Sequence, residues 1–197
     1  NGIGAPIGHL KDFSRCLSSY TIDELRAHAI AIDNRVRLEY LSGITVDGVL
    51  DEAVWDDAWS MTLDFEVHPG ENTPALAETR VFVYHDQSRL YVGFRAQDPE
   101  PSAIRAHLSD RDDFGPDDAI GIVLDTFNDE RRSFGLLVNP LGVQSDFVET
   151  ENGGGGSWDA IWDSAGRIHD WGYAVEMAVP FNQLSFPRTD AAQVWGF

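Results

Sequence analysis

The sequence predicts an all-β fold, an antiparallel β-sandwich with a short helical extension at its N-terminus. Three observations carry that prediction. Short runs of apolar and β-branched residues recur along the chain, some alternating with polar ones and some continuous. Clusters of Gly, Pro, Asn and Asp, whose backbone preferences suit tight turns, separate those runs. The centre of the chain carries almost no stretch with the apolar period of a helix.

Residues 1–20 mix Gly, Pro and Ser with scattered apolar side chains and show no period. Thr21 and Glu24 are spaced as a capping box, in which hydroxyl and carboxylate each satisfy a backbone N–H freed at a helix start. Ile22, Leu25, Ala29 and Ile32 follow at helical spacing, so a short amphipathic helix is expected there, its apolar face covered by the β domain or by a partner. Residues 1–40 are accordingly an extension, and residues 41–197 the sandwich. Asp47-Gly48 makes a turn. Residues 50–59 suit a helical turn, with Trp55 and Trp59 four apart on one face and turned to the core. Residues 61–67 alternate, with Leu63, Phe65 and Val67 on one side. Residues 79–84 and 89–96 flank His85-Asp86-Gln87-Ser88 and form the clearest hairpin of the chain.

The most organised stretch is 112–146. It opens on an acidic turn in which Gly115 and Pro116 break regular structure. Residues 119–124 are continuously apolar and read as a strand buried on both faces. A second apolar run, 133–138, ends at Asn139-Pro140-Leu141-Gly142, where Pro140 presets the first central position of a turn. Residues 143–148 alternate as a third strand. The four glycines 153–156 make a flexible loop tip. Residues 162–170 and 171–179 form a further strand pair, ended by Pro180 and a helical turn at 181–184. A last strand begins at Val194, and the domain is expected to continue past Phe197. Val81, Val83, Tyr91, Ile122, Leu124, Val138, Val175 and Met177 sit in the most apolar runs and should form the core.

Charge narrows the partners. Acidic residues outnumber basic ones 33 to 14, giving a formal net charge of −19. Such a field repels phosphate backbones and anionic lipid, so nucleic acid is excluded as a partner class, while cations and neutral ligands are not. No apolar run is long enough to span a bilayer as a helix. Cys16 is the only cysteine, which excludes an internal disulfide and a thiolate metal cluster.

Two kinds of site are expected around the acidic turn. Phe114, Trp158 and Trp162 lie in sequence beside Asp112, Asp117, Asp159 and Glu151. Flat aromatic faces against the C–H side of a sugar ring, with carboxylates and amides bonding its hydroxyls, are what saccharide recognition requires. Asp112, Asp113, Asp117 and Asp118 are hard oxygen donors suited to Ca²⁺, although not in an EF-hand pattern: counted from Asp110, the twelfth position is Gly121. The six histidines lack zinc-ligand spacing. No carboxylate pair is singled out for glycoside hydrolysis, and no Gly-x-Ser-x-Gly elbow is present, so no enzyme activity is expected.

The segments ITVDGVLDEAVW, TRVFVYHDQSRLYVGFRAQDP, DDAIGIVLDTF, VNPLGVQSD, GYAVEMAVPFNQL and WGF follow one another in the order of a known family. Over about residues 42–197 the chain resembles the family 9 carbohydrate-binding modules. More narrowly, it resembles the module-like domain that precedes the membrane barrel of large bacterial outer-membrane proteins. The resemblance implies a non-catalytic sandwich, extracellular, at the cell surface or in the periplasm, that binds an oligo- or polysaccharide and holds calcium in its loops. It implies a sugar site near Phe114, at the place of one family tryptophan, with Asn139 matching a family asparagine. A structural or interaction domain that packs on the outer-membrane barrel or another protein is the alternative.

Overall fold

In the computed structural model, residues 30–32, 43–66, 72–113, 115–151, 153–154, 158–189 and 191–197 are described. Two antiparallel sheets make the sandwich. The larger has five strands in the order β2-β3-β4-β10-β9: β2 (Trp59–Glu66), β3 (Thr73–His85), β4 (Arg89–Gln97), β10 (Gly172–Pro180) and β9 (Asp163–His169). The smaller is a meander of β5 (Ile120–Leu124), β6 (Arg132–Val138), β7 (Gln144–Thr150) and the two-residue β8 (Gly153–Gly154). The predicted hairpin forms about Asp86, whose Oδ1 accepts the backbone N–H groups of Ser88 and Arg89 at 2.6 and 2.8 Å.

The core lies between the two sheets because alternate residues of each strand share a face. Val81, Val83, Leu90, Val92, Phe94, Val175, Met177 and Val179 point in from the larger sheet, and Ile122, Leu124, Phe134, Leu136, Val138 and Val148 from the smaller. Each such side chain, fully buried, contributes about 1.5–3 kcal/mol of transfer free energy. Tyr91 departs from its expected burial. It pairs with Tyr84 and Ala178 in the opposite phase to Leu90 and Val92, and its hydroxyl donates to Asp86 at 3.0 Å.

The strand buried on both faces is β10, not β5. In β5 only Ile122 and Leu124 are buried, whereas every residue from Gly172 to Val179 is. Residues 44–58 cause this by crossing the outer face of the larger sheet. They carry α1 (Val54–Asp57) and bury Trp55 there. Gly93 makes room for the crossing: a Cβ at that position would stand 2.5 Å from Leu50 Cδ2 and 3.4 Å from the Trp55 ring. Glu176, on the same face of β10, has no exposed surface and accepts N–H bonds from Asp47, Gly48 and Trp55. Helix α1 is one turn long, so Trp59 does not share a helical face with Trp55. It opens β2, 39% exposed, edge-on to Phe197 at 6.2 Å.

The expected N-terminal helix falls on residues 21–32, of which 21–29 lie outside the described residues. Its last three form β1 (Ile30–Ile32), antiparallel to β11 (Gln193–Trp195) in a separate two-stranded sheet. Two β-branched residues in three favour that extended pairing over a helix end.

Candidate functional site

One end of the sandwich is closed by the turn around residues 110–118 and by residues 158–162. Strand β7 positions both. The alternation that points Val148 inward also points Gln144 and Asp146 inward, and such polar groups need partners. Arg111 supplies them. Its guanidinium donates to the Asp146 carboxylate, to the Ala160 carbonyl at 2.6 Å and to Gln144 Oε1 at 3.2 Å. Asp146 also accepts from the Ala160 N–H and from Trp162 Nε1, at 3.3 and 3.1 Å. Gln144 donates to the Trp162 carbonyl at 2.9 Å, and Asp112 Oδ1 accepts the Asp146 N–H at 3.0 Å. A buried carboxylate bonded by a guanidinium and two further donors is fully compensated, so the clamp holds 158–162 across the edge.

What the clamp leaves outward is a polar, partly aromatic rim. Asp159, 77% exposed, lies 3.3 Å from Arg111 Nη2, and Asp112 Oδ2 is 3.9 Å from Arg111 Nε, a buried N–H with no partner among the described residues. Trp158 is half-buried, its ring 4.8 Å from that of Phe134 and tilted by 56°. It therefore closes the core with one part and meets solvent with the rest.

The other expected site residues are placed differently. Phe114 lies outside the described residues. Trp162 is 5% exposed and part of the core. Asn139 is buried with every polar atom used: its amide donates to the His107 carbonyl and Asp117 Oδ2 at 2.9 and 3.0 Å, and its oxygen accepts the N–H groups of Leu141 and Val143. Asp117 is also turned inward, its side chain 1% exposed, accepting the His107 N–H at 2.7 Å and facing His107 Nδ1 at 2.6 Å. Burial raises the Asp117 pKa, but the bonds from His107 and Asn139 outweigh it and hold the carboxyl below its usual range. Asn139 and Asp117 thus shape the turn from inside, while Asp159 and Asp112 are exposed and Trp158 is half-buried. Arg111 and Asp146 escape a reading of motifs because they lie 35 residues apart. The signal available was the inward phase of Asp146 on an alternating strand.

The four carboxylates expected to bind calcium do not converge. Both Asp118 oxygens are bonded by Arg105, those of Asp117 by His107 and Asn139, and Asp112 Oδ1 by the backbone of β7. Among the described residues, no group of three or more His, Cys, Asp or Glu side chains is arranged to hold a metal ion. As placed, these residues do not fit the ion.

Comparison with known proteins agrees with the sandwich. No curated protein matches the chain. The family model for the carbohydrate family 9 binding domain-like proteins matches residues 46–197. The chain belongs to that non-catalytic family.

Proposed function

We propose that this chain is the polysaccharide-recognising domain of a secreted or cell-surface bacterial protein, with its binding site on the rim at Trp158. One observation carries the reading beyond family membership: a half-buried indole, Trp158, immediately precedes the exposed Asp159, which lies 3.3 Å from Arg111 of the Arg111–Asp146 clamp. An aromatic face beside hydrogen-bonding charged groups is the chemistry a sugar ring and its hydroxyls require. Calorimetric titration of the chain with glucan and xylan oligosaccharides tests it. Heat is expected, lost in Trp158→Ala. Absence of heat for every oligosaccharide at millimolar concentration would remove the reading.

A second reading has its own observation. The far end of the β2–β3 ribbon exposes three apolar side chains, Leu63 (39%), Phe65 (55%) and Leu76 (89%). They suit a structural or interaction domain packed on an outer-membrane barrel or another protein. Phe65→Glu with Leu76→Glu should then abolish co-elution with that partner and leave saccharide heats unchanged. Unaltered co-elution would discard it.

A further inference from the structure

On the outer face of the larger sheet, three arginines stand in a single row. Arg80 on β3 is directly opposite Arg95 on β4; Arg95 pairs with Ala174 on β10, and Ala174 with Arg167 on β9. Paired residues share a face, so all three guanidiniums rise from the same side, with only the Ala174 methyl between Arg95 and Arg167. With strands about 4.8 Å apart, the row spans roughly 15 Å. All three side chains are exposed.

Like charges directly opposite one another destabilise a sheet, and a carboxylate is the ordinary remedy. No ion pair reaches Arg80, Arg95 or Arg167 among the described residues, although Glu78 stands on the same face two residues before Arg80. The chain does not lack carboxylates, having 33, and elsewhere Arg89, Arg105 and Arg131 each pair with one and Arg111 with three. Glu176, in the adjacent row, is buried and committed to Asp47, Gly48 and Trp55. Arg80 and Arg95 are instead backed by rings. Arg80 lies 5.0 Å from the centre of Phe82, and Arg95 lies 4.3 Å from that of Trp171, which is itself stacked on His169 at 4.6 Å. A guanidinium laid on a ring spends its face and keeps its in-plane N–H fork for a planar anion. Arg80 gives one N–H to Ser60 at 2.9 Å, and Arg167 makes a long contact of 3.4 Å to the Asp47 carbonyl.

We propose that this row is a second ligand surface, for an anionic saccharide whose carboxylate or sulfate groups are taken by Arg80, Arg95 and Arg167. The proposal rests on the reading of the chain as a carbohydrate-binding domain. The net charge of −19 opposes long-range attraction of a polyanion. At physiological salt, however, the Debye length is about 8 Å, so the local row governs contact and the rest of the surface is largely screened.

The test is calorimetry on the intact chain with three oligosaccharides of equal length: a polyuronate, a sulfated one and a neutral one, each at physiological and at high salt. At physiological salt the favoured anionic oligosaccharide should bind about tenfold tighter than the neutral one. That preference should vanish at high salt and in Arg80→Gln/Arg95→Gln, while neutral binding is unchanged. Whichever of the uronate and sulfated arms shows it names the group recognised. Arg167→Gln, at the other end of the row, should also weaken the anionic ligand and guards against a folding defect in the double variant. That double variant should melt no lower than the parent, since a repulsive pair is removed. Equal affinity for neutral and anionic oligosaccharides, or a preference indifferent to all three substitutions, would overturn the arginine row and leave the Trp158 rim standing. No heat from any of the three would remove both.

Discussion

The Glu176 carboxylate and the Trp55 indole meet at 3.1 Å across 121 residues of sequence. The other carboxylate oxygen takes the N–H groups of Asp47 and Gly48, each at 2.9 Å. One buried side chain therefore pins residues 44–58 to the outer face of the larger sheet.

That pin is pH-dependent. Burial, opposed by these bonds and assisted by nearby Glu52, pushes the Glu176 pKa from 4.5 up to about 7. Below pH 4.5 folded and unfolded chains both hold the proton; between there and about 7 only the folded chain does. The contribution to stability is thus full at low pH and is lost as pH rises through that window. At about 1.4 kcal/mol per pKa unit, the loss is on the order of 3 kcal/mol. Urea unfolding of the parent and of Glu176→Gln on either side of the window should show this decline in the parent only. A decline equal in both would assign it elsewhere.

Asn139→Ala should destabilise without touching ligand binding. It leaves Asp117 short of a donor and the N–H groups of Leu141 and Val143 without an acceptor. Each buried unsatisfied group costs about 1–3 kcal/mol. A denaturation midpoint close to that of the parent, with saccharide heat abolished, would make Asn139 a ligand-contacting residue instead.

The two tryptophans of the clamp should separate. Trp162→Ala empties a core position and should cost about 3–5 kcal/mol. Trp158→Ala should cost less, because the ring is only half-buried, and should remove saccharide binding from a protein that still folds. Asp159→Asn, at a side chain 77% exposed, should weaken binding with no change in melting temperature. Equal destabilisation by the two tryptophan variants would make Trp158 a core residue alone.

Calcium should leave the melting temperature unchanged, since the Asp112, Asp117 and Asp118 carboxylates already serve protein donors. An ion bound by this turn at a hundred times its Kd would stabilise the fold by about 2.7 kcal/mol. A rise of that size, reversed by chelator, would show that the turn rearranges around the ion.

The sequence by itself determined the sandwich. Period-2 alternation and turn chemistry are local properties, so they placed the turn of the 79–96 hairpin, the 120–150 meander and the core valines to within a residue or two, although β3 begins at Thr73, six residues before the expected start. Only the tertiary structure decided which polar residues face ligand and which serve the fold. Asn139 and Trp158 both look like binding residues in the chain, yet one is sealed within its turn and the other lies on the rim. The Arg111–Asp146 clamp, the Glu176–Trp55 pin and the row of Arg80, Arg95 and Arg167 arise from strand register. Register brings together residues far apart in the chain, and no local pattern records which of them will meet.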